Sequence, residues 1–211
     1  MNFAEKIRAN LPVDVFTDQD LKLVCRSMSK AAIHSGISRS LKSQEFQKLK
    51  RGLYIFGKDL RKEALSKYSI ANRMYSPSYI SFESALSFHG LIPEAVYTTT
   101  SACFQNKKKT FSTPLGAFDF LYIPCRPFFN GVTQLNSALI ANPVKALFDL
   151  VYINKKSNFN IGYLENDLRM NTEELNSAIS NYSFSQAHAL AHSYGRKNVV
   201  ELFELLMRHC K

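Results

Sequence analysis

The sequence predicts an α+β protein built in two parts. Three observations predict it. The first sixty residues pass from helical to strand-like periodicity at a basic turn, the middle is rich in Val, Thr, Phe and Tyr between turn residues, and the last sixty residues are helical again. At 211 residues, 45% hydrophobic and 12% aromatic, the chain is long and apolar enough to bury one large core or two small ones. The reading places one domain at 1–60 and a second, mixed α/β domain at 61–211, with a small antiparallel sheet and a helical C-terminus.

The N-terminal elements follow from local signals. Residues 2–10 suit a short helix with Phe3, Ile7 and Leu11 on one face, ended by Pro12. Thr17 is an N-cap, with Asp18 and Asp20 in the first turn of a helix running to Cys25. After the polar break at Arg26–Ser29, a third helix is expected from Met28 to Leu41, its apolar side formed by Ala32, Ile33, Ile37 and Leu41. Gly36 weakens that expectation, because glycine costs about 1 kcal/mol in a helix interior. Between Glu45 and Phe56 the period changes to that of two short strands joined by Lys50-Arg51-Gly52. Three helices followed by a basic hairpin is the order of a winged helix-turn-helix.

Charge points the same way. The net charge is +10, from 27 Lys and Arg against 17 Asp and Glu, which suits a polyanionic partner. Eight basic residues lie from Lys22 to Arg51, and Glu45 is the only acid among them. The DNA contacts expected on the third helix are Ser29, Lys30, His34, Ser38, Arg39 and Lys42, and those on the hairpin are Lys48, Lys50 and Arg51. Lysine and arginine can hold phosphate or read guanine edges, and serine can bond to phosphate. Tyr54 is expected to pack inward rather than stack on a base.

The second part begins with a helical connector, Arg61–Tyr75, carrying Leu65, Tyr68 and Met74, and Pro77 breaks it. Ser81 is expected to cap a helix over Phe82–His89, with Gly90 closing it. Strands follow at Val96–Cys103, Lys109–Ser112 and Phe118–Ile123, with one more in Gly131–Ile140. Asn142-Pro143 starts a helix through Ile153. Further helices begin at Thr172 and Ser185, and Lys197–Cys210 is strongly amphipathic.

Chemical motifs are sparse. Cys25, Cys103, Cys125 and Cys210 have no metal-ligand spacing and are expected to be reduced, buried thiols. His188 and His192 stand one helical turn apart without the glutamate of a zinc-protease motif. Ser81, Glu83 and His89 lack a GxSxG elbow, and no phosphate-binding glycine loop occurs. Asp119, Asp149, Glu165 and Asp167 form no nuclease pattern. No catalytic residue, metal or cofactor is therefore expected. The polar amphipathic start and the lack of a membrane-length apolar run predict a cytoplasmic protein without a membrane partner.

Longer motifs carry a family resemblance. "FTDQDLKLVC" followed by the basic third helix and "KLKRGLYIFG" resembles the N-terminal domain of the AbiEi antitoxins of abortive-infection toxin–antitoxin systems. "ANRMYSPSYISFESALSFHGLIPE" (71–94), "LGAFDFLYIP" and "ANPVKALFDLVY" resemble that family's later segments, so the likeness spans about residues 15–153. The resemblance implies a repressor that binds its own promoter, at inverted repeats. It also implies a second domain that neutralises a nucleotidyltransferase-like toxin. The oligomeric state stays open, a monomer binding cooperatively being one arrangement. The alternatives are a winged-helix regulator whose second domain senses a ligand or an unrelated partner, and a nuclease.

Overall fold

The computed structural model describes residues 2–64, 66–93, 96–154, 162–180 and 182–209. Leu65, Glu94 and Cys210, which entered the expectations above, lie outside the described residues.

The fold is mixed α/β with two sheets. The first unit runs α1 (Phe3–Asn10), β1 (Val15–Thr17), α2 (Asp18–Val24), α3 (Lys30–Lys42), β2 (Phe46–Lys50) and β3 (Leu53–Phe56). α1 opens with a capping box between Asn2 and Glu5. α2 opens with another, in which Thr17 Oγ1 accepts from the Asp20 amide at 3.2 Å and Asp20 accepts from the Thr17 amide at 2.7 Å. α3 starts two residues later than expected because the Ser29 hydroxyl caps it, accepting from the Ala32 amide. β1 is an element the periodicity did not reveal. It is three residues long and antiparallel to β3, giving a three-stranded antiparallel sheet in the order β1-β3-β2.

That sheet is buried on both faces. On one side Phe16, Phe46, Tyr54 and Phe56 pack with Ala4, Ile7, Leu21 and Cys25. On the other side Val15, Leu49, Leu53 and Ile55 join the larger core of the chain. The run Leu53-Tyr54-Ile55-Phe56 is apolar at every position because alternate side chains enter different cores. Gly36 also has a tertiary reason. A Cβ there would lie 2.7 Å from the Phe3 ring, so glycine lets α1 close onto α3.

The remainder runs α4 (Lys67–Met74), β4 (Ser78–Ile80), α5 (Phe82–Phe88), β5 (Thr98–Cys103), β6 (Lys109–Thr113), β7 (Gly116–Tyr122), β8 (Val132–Leu135), β9 (Ala138–Ala141), α6 (Pro143–Ile153), α7 (Thr172–Ser180), α8 (Phe184–Ser193) and α9 (Lys197–His209). The helical connector expected over 61–75 is helical only from Lys67. A 3₁₀ turn at Lys58–Leu60 precedes it, and the next residues are tied back to the first unit. Arg61 donates to the Phe56 carbonyl and to Gln47, and the amides of Lys62 and Glu63 donate to the Asp14 carboxylate.

The expected small antiparallel sheet is instead six-stranded and mixed, ordered β6-β7-β5-β4-β9-β8. β5 and β7 are parallel, as are β4 and β9, and the other pairs are antiparallel. Two features were hidden in the sequence. β4 is three residues directly after a proline and is buried throughout, so it shows no alternation. Gly131–Ile140 holds a hairpin rather than one strand, because Asn136 and Ser137 adopt left-handed backbone (φ 46° and 63°), as a two-residue turn requires. No helix among the described residues is long and apolar enough to cross a membrane.

The Gly36 contact yields a test. Gly36→Ala should destabilise the protein by about 1–2 kcal/mol although alanine is the better helix former, because the Phe3 ring must move. Urea unfolding measures it, and a gain in stability would show that α1 does not press on α3.

Candidate nucleic-acid interface

α3 lies with Ile33, Ile37 and Leu41 against the first-unit core, while Lys30, His34, Arg39 and Lys42 are exposed. His34, Ser38 and Lys42 recur every four residues with Arg39 alongside and form one outward face, and Lys30, half a turn round from Arg39, flanks it at the N-terminal end. Ser35, which the charge-based reading passed over, is exposed on the same face, and its spacing from Arg39 and Lys42 was the available signal. Two expected contacts sit less openly. Ser38 is half-buried, and the Ser29 hydroxyl already serves as the helix cap.

The hairpin carries Lys48 and Arg51 exposed and Lys50 half-buried. Gly52 makes the turn with φ +73°, a conformation that favours glycine. The ladder shifts register between Lys48 and Lys50, a bulge that adds twist at the hairpin tip. α3 packs beside β2, so both basic groups belong to one rigid unit. Tyr54 is buried and stacks on Phe16 at 5.9 Å between centroids, as expected of a packing residue.

The electrostatics of this surface are one-sided. Glu45 is occupied by the Asn2 amide (2.6 Å) and the Ser43 hydroxyl (2.7 Å). Among the described residues no carboxylate pairs with Lys30, Arg39, Lys42, Lys48, Lys50 or Arg51. Their charge faces solvent, where an anion can meet it.

Ser81 does not cap α5, as had been expected. Its hydroxyl is buried and donates to Asp149 Oδ2 at 2.6 Å, while the Ser84 amide in the first turn of α5 donates to Thr100 Oγ1 at 3.2 Å instead. Asp149 Oδ2 also accepts from the Tyr79 hydroxyl at 2.9 Å. Its Oδ1 accepts from Tyr194 at 2.5 Å and faces Lys145 Nζ at 3.4 Å. Lys145 donates to the Tyr194 oxygen at 3.0 Å, and both Lys145 and Asp149 are fully buried. Burial, with the Asp149 charge alongside, holds the Tyr79 and Tyr194 phenols protonated well above their ordinary range. The cluster is a closed structural network.

The remaining chemistry-bearing residues are dispersed. His89 bonds to the Ala141 carbonyl at 2.9 Å, far from a role beside Ser81. Asp119 and Asp167 line a cavity of about 450 Å³ with Glu83, whereas Asp149 is sealed in its own network. His188 and His192 lie 4.2 Å apart at a tilt of 42°, and His188 stacks on Phe184 at 6.0 Å. Among the described residues no three His, Cys, Asp or Glu side chains converge as a metal site. Cys25, Cys103 and Cys125 are buried and free, and burial pushes the Cys103 thiol up to about 11.

No family model and no curated protein matches the chain. A solved structure does. The crystal structure of the RV2827C protein from Mycobacterium tuberculosis matches with a TM-score of 0.52 and 15% identity, over 95% of this chain and 80% of that one. At that identity the likeness is one of fold.

Two outcomes follow from the buried network. Asp149→Asn leaves Lys145 without its counter-ion and should cost about 3–5 kcal/mol. A melting temperature within a degree or so of the parent would show the pair to be dispensable. The tyrosines set the alkaline limit. The unfolded phenols lose protons near pH 10 and the folded ones only above it, so the folded state holds more protons there. Their contribution is complete below about pH 10 and declines as pH rises beyond it. In urea titrations above about pH 10, Tyr194→Phe should flatten that decline by about one proton. An unchanged slope would remove Tyr194 from the account.

Proposed function

We propose that this chain is a DNA-binding transcriptional repressor and antitoxin that acts by binding, in the cytoplasm, without catalysing a reaction. In this reading the first unit is a winged helix-turn-helix. α3 enters the major groove and the β2–β3 hairpin is the wing that holds flanking phosphate. The observation that carries it is the exposed basic face of α3, which has no carboxylate partner among the described residues and is joined through one small core to the basic tip of the hairpin. In this reading Arg39 reads a base edge or holds phosphate with His34, Ser35, Ser38 and Lys42 beside it, and Lys30 does so from the flank of the helix. Ser29 contributes chiefly by starting the helix. Lys48, Lys50 and Arg51 supply phosphate contacts, which position the protein without selecting sequence.

The antitoxin half rests on the resemblance of the central motifs to the AbiEi family. The second unit would neutralise a nucleotidyltransferase-like toxin, and the DNA target would be the operon's own promoter. The likeness to the RV2827C protein supports a shared architecture over nearly the whole chain. Growth rescue on co-expression with a nucleotidyltransferase encoded beside this gene tests that half. Failure of rescue, with DNA binding retained, favours a winged-helix regulator whose second unit senses another partner.

Gel-shift titration against the upstream DNA tests the first half. Affinity should fall steeply with salt, and replacing Lys30, Arg39 and Arg51 together by Ala should lower the log–log salt slope by about 2–3. A variant that binds like the parent at every salt concentration would remove α3 and the wing from the interface.

A further inference from the structure

A second surface, on the six-stranded sheet, has no part in the reading above. Phe104 and Phe129 are 43% and 45% exposed. The buried Phe128 ring lies between them, with centroids 5.5 Å from Phe104 and 4.9 Å from Phe129. Phe128 fills the core, Phe129 reaches the buried Tyr79 ring at 6.2 Å, and both outer rings still keep more than two fifths of their surface exposed. The Arg126 guanidinium sits 4.1 Å over the Phe104 ring, held there by hydrogen bonds to the Pro124 and Cys125 carbonyls. Three residues after Phe104 comes the exposed run of Lys107, Lys108 and Lys109 leading into β6.

The surroundings are cationic. Asp119 is the sole carboxylate between Glu94 and Asp149 in the sequence, and it is engaged by the Thr110 hydroxyl at 2.6 Å. β6 packs against β2, so the lysine run enters a strand adjacent to the one that carries Lys48 and Lys50.

We infer that this surface binds an unpaired nucleic-acid strand, with Phe104 and Phe129 as base-stacking platforms and Arg126 and Lys107–Lys109 as phosphate contacts. The combination selects the ligand. Duplex DNA presents phosphate but keeps its bases stacked inside, leaving exposed phenylalanines no partner. An unpaired strand presents one phosphate and one free aromatic face per nucleotide, matching both components of the patch. Charge complementarity accounts for the lysines, and base stacking accounts for the ring surface of Phe104 and Phe129 that Arg126 and Phe128 leave exposed.

Fluorescence anisotropy on the full chain tests the assignment, with labelled oligo-dT and oligo-rU of about 15 nucleotides as separate DNA and RNA probes. Phe104→Ala/Phe129→Ala should weaken binding of at least one probe by about tenfold or more and leave binding of the upstream duplex unchanged. The Lys30, Arg39 and Arg51 triple-alanine variant should do the reverse, so failure of the α3 reading and failure of this one are separable. The chain has no tryptophan, so Phe104→Trp provides a unique fluorophore. Quenching of it by the bound oligonucleotide supports stacking even if the double alanine variant does not fold. Three results would overturn the inference: no binding of either probe by the parent, equal binding by a folded Phe104→Ala/Phe129→Ala variant, or binding of a poly-glutamate peptide but neither oligonucleotide. The last would mark an acidic protein as the occupant.

Discussion

A buried charge tolerates little error in its surroundings, and Asp149 makes that constraint the centre of the larger unit. Its two oxygens meet Tyr79 on β4, Ser81 at the start of α5, Lys145 one turn earlier on α6, and Tyr194 at the end of α8. Removing any one partner leaves a buried polar group short of a hydrogen bond that water cannot replace, which costs more than a lost apolar contact of similar size. The network therefore sets where α6 lies on the sheet and where the C-terminal helices close over it. Lys145 also sits 5.1 Å from the Tyr79 ring centroid and 5.0 Å from that of Tyr194, so its ammonium is enclosed by the same phenols that serve the carboxylate.

The three-stranded sheet carries that order into the first unit. Because β3 sends Tyr54 and Phe56 into one core and Leu53 and Ile55 into the other, the helices of the first unit and the body of the protein share a wall. Arg8 reinforces the small core from its edge, pairing with Asp14 and lying 4.3 Å over the Phe56 ring, while Asp14 also receives the amides of Lys62 and Glu63. A basic helix face held this way has little orientational freedom. If the proposed DNA binding holds, less ordering entropy opposes it than would oppose binding by a mobile helix.

The elements that were legible share one property: their signals are local. The Thr17 N-cap, the Asn142-Pro143 helix start and the hairpin glycine are each stated within four residues, and the structure has them where local chemistry requires. The amphipathic stripe of α9 is equally local, and its Val199, Leu202, Phe203 and Leu206 are buried. The outward face of α3 was legible for the same reason, apart from Ser35, whose spacing from Arg39 and Lys42 marks it only once the inward residues of the helix are known. β1 and β4 were not legible. Three residues are too few to show a period, and both become strands only because a distant strand offers its hydrogen bonds.

The sequence alone determined the helix starts at Thr17 and Asn142, the basic hairpin and the clustering of positive charge before residue 61, since each depends on neighbours within one or two turns of chain. Tertiary structure decided the rest. It turned Ser81 from a cap into a donor for Asp149, 68 residues away, made Gly36 a contact point for Phe3, and built a mixed six-stranded sheet where an antiparallel one was expected. It also brought Phe104 together with Arg126 and Phe129 on one surface. These outcomes rest on pairing a buried charge, excluding a methyl group and satisfying strand edges, and no local window of the chain contains the groups that do so.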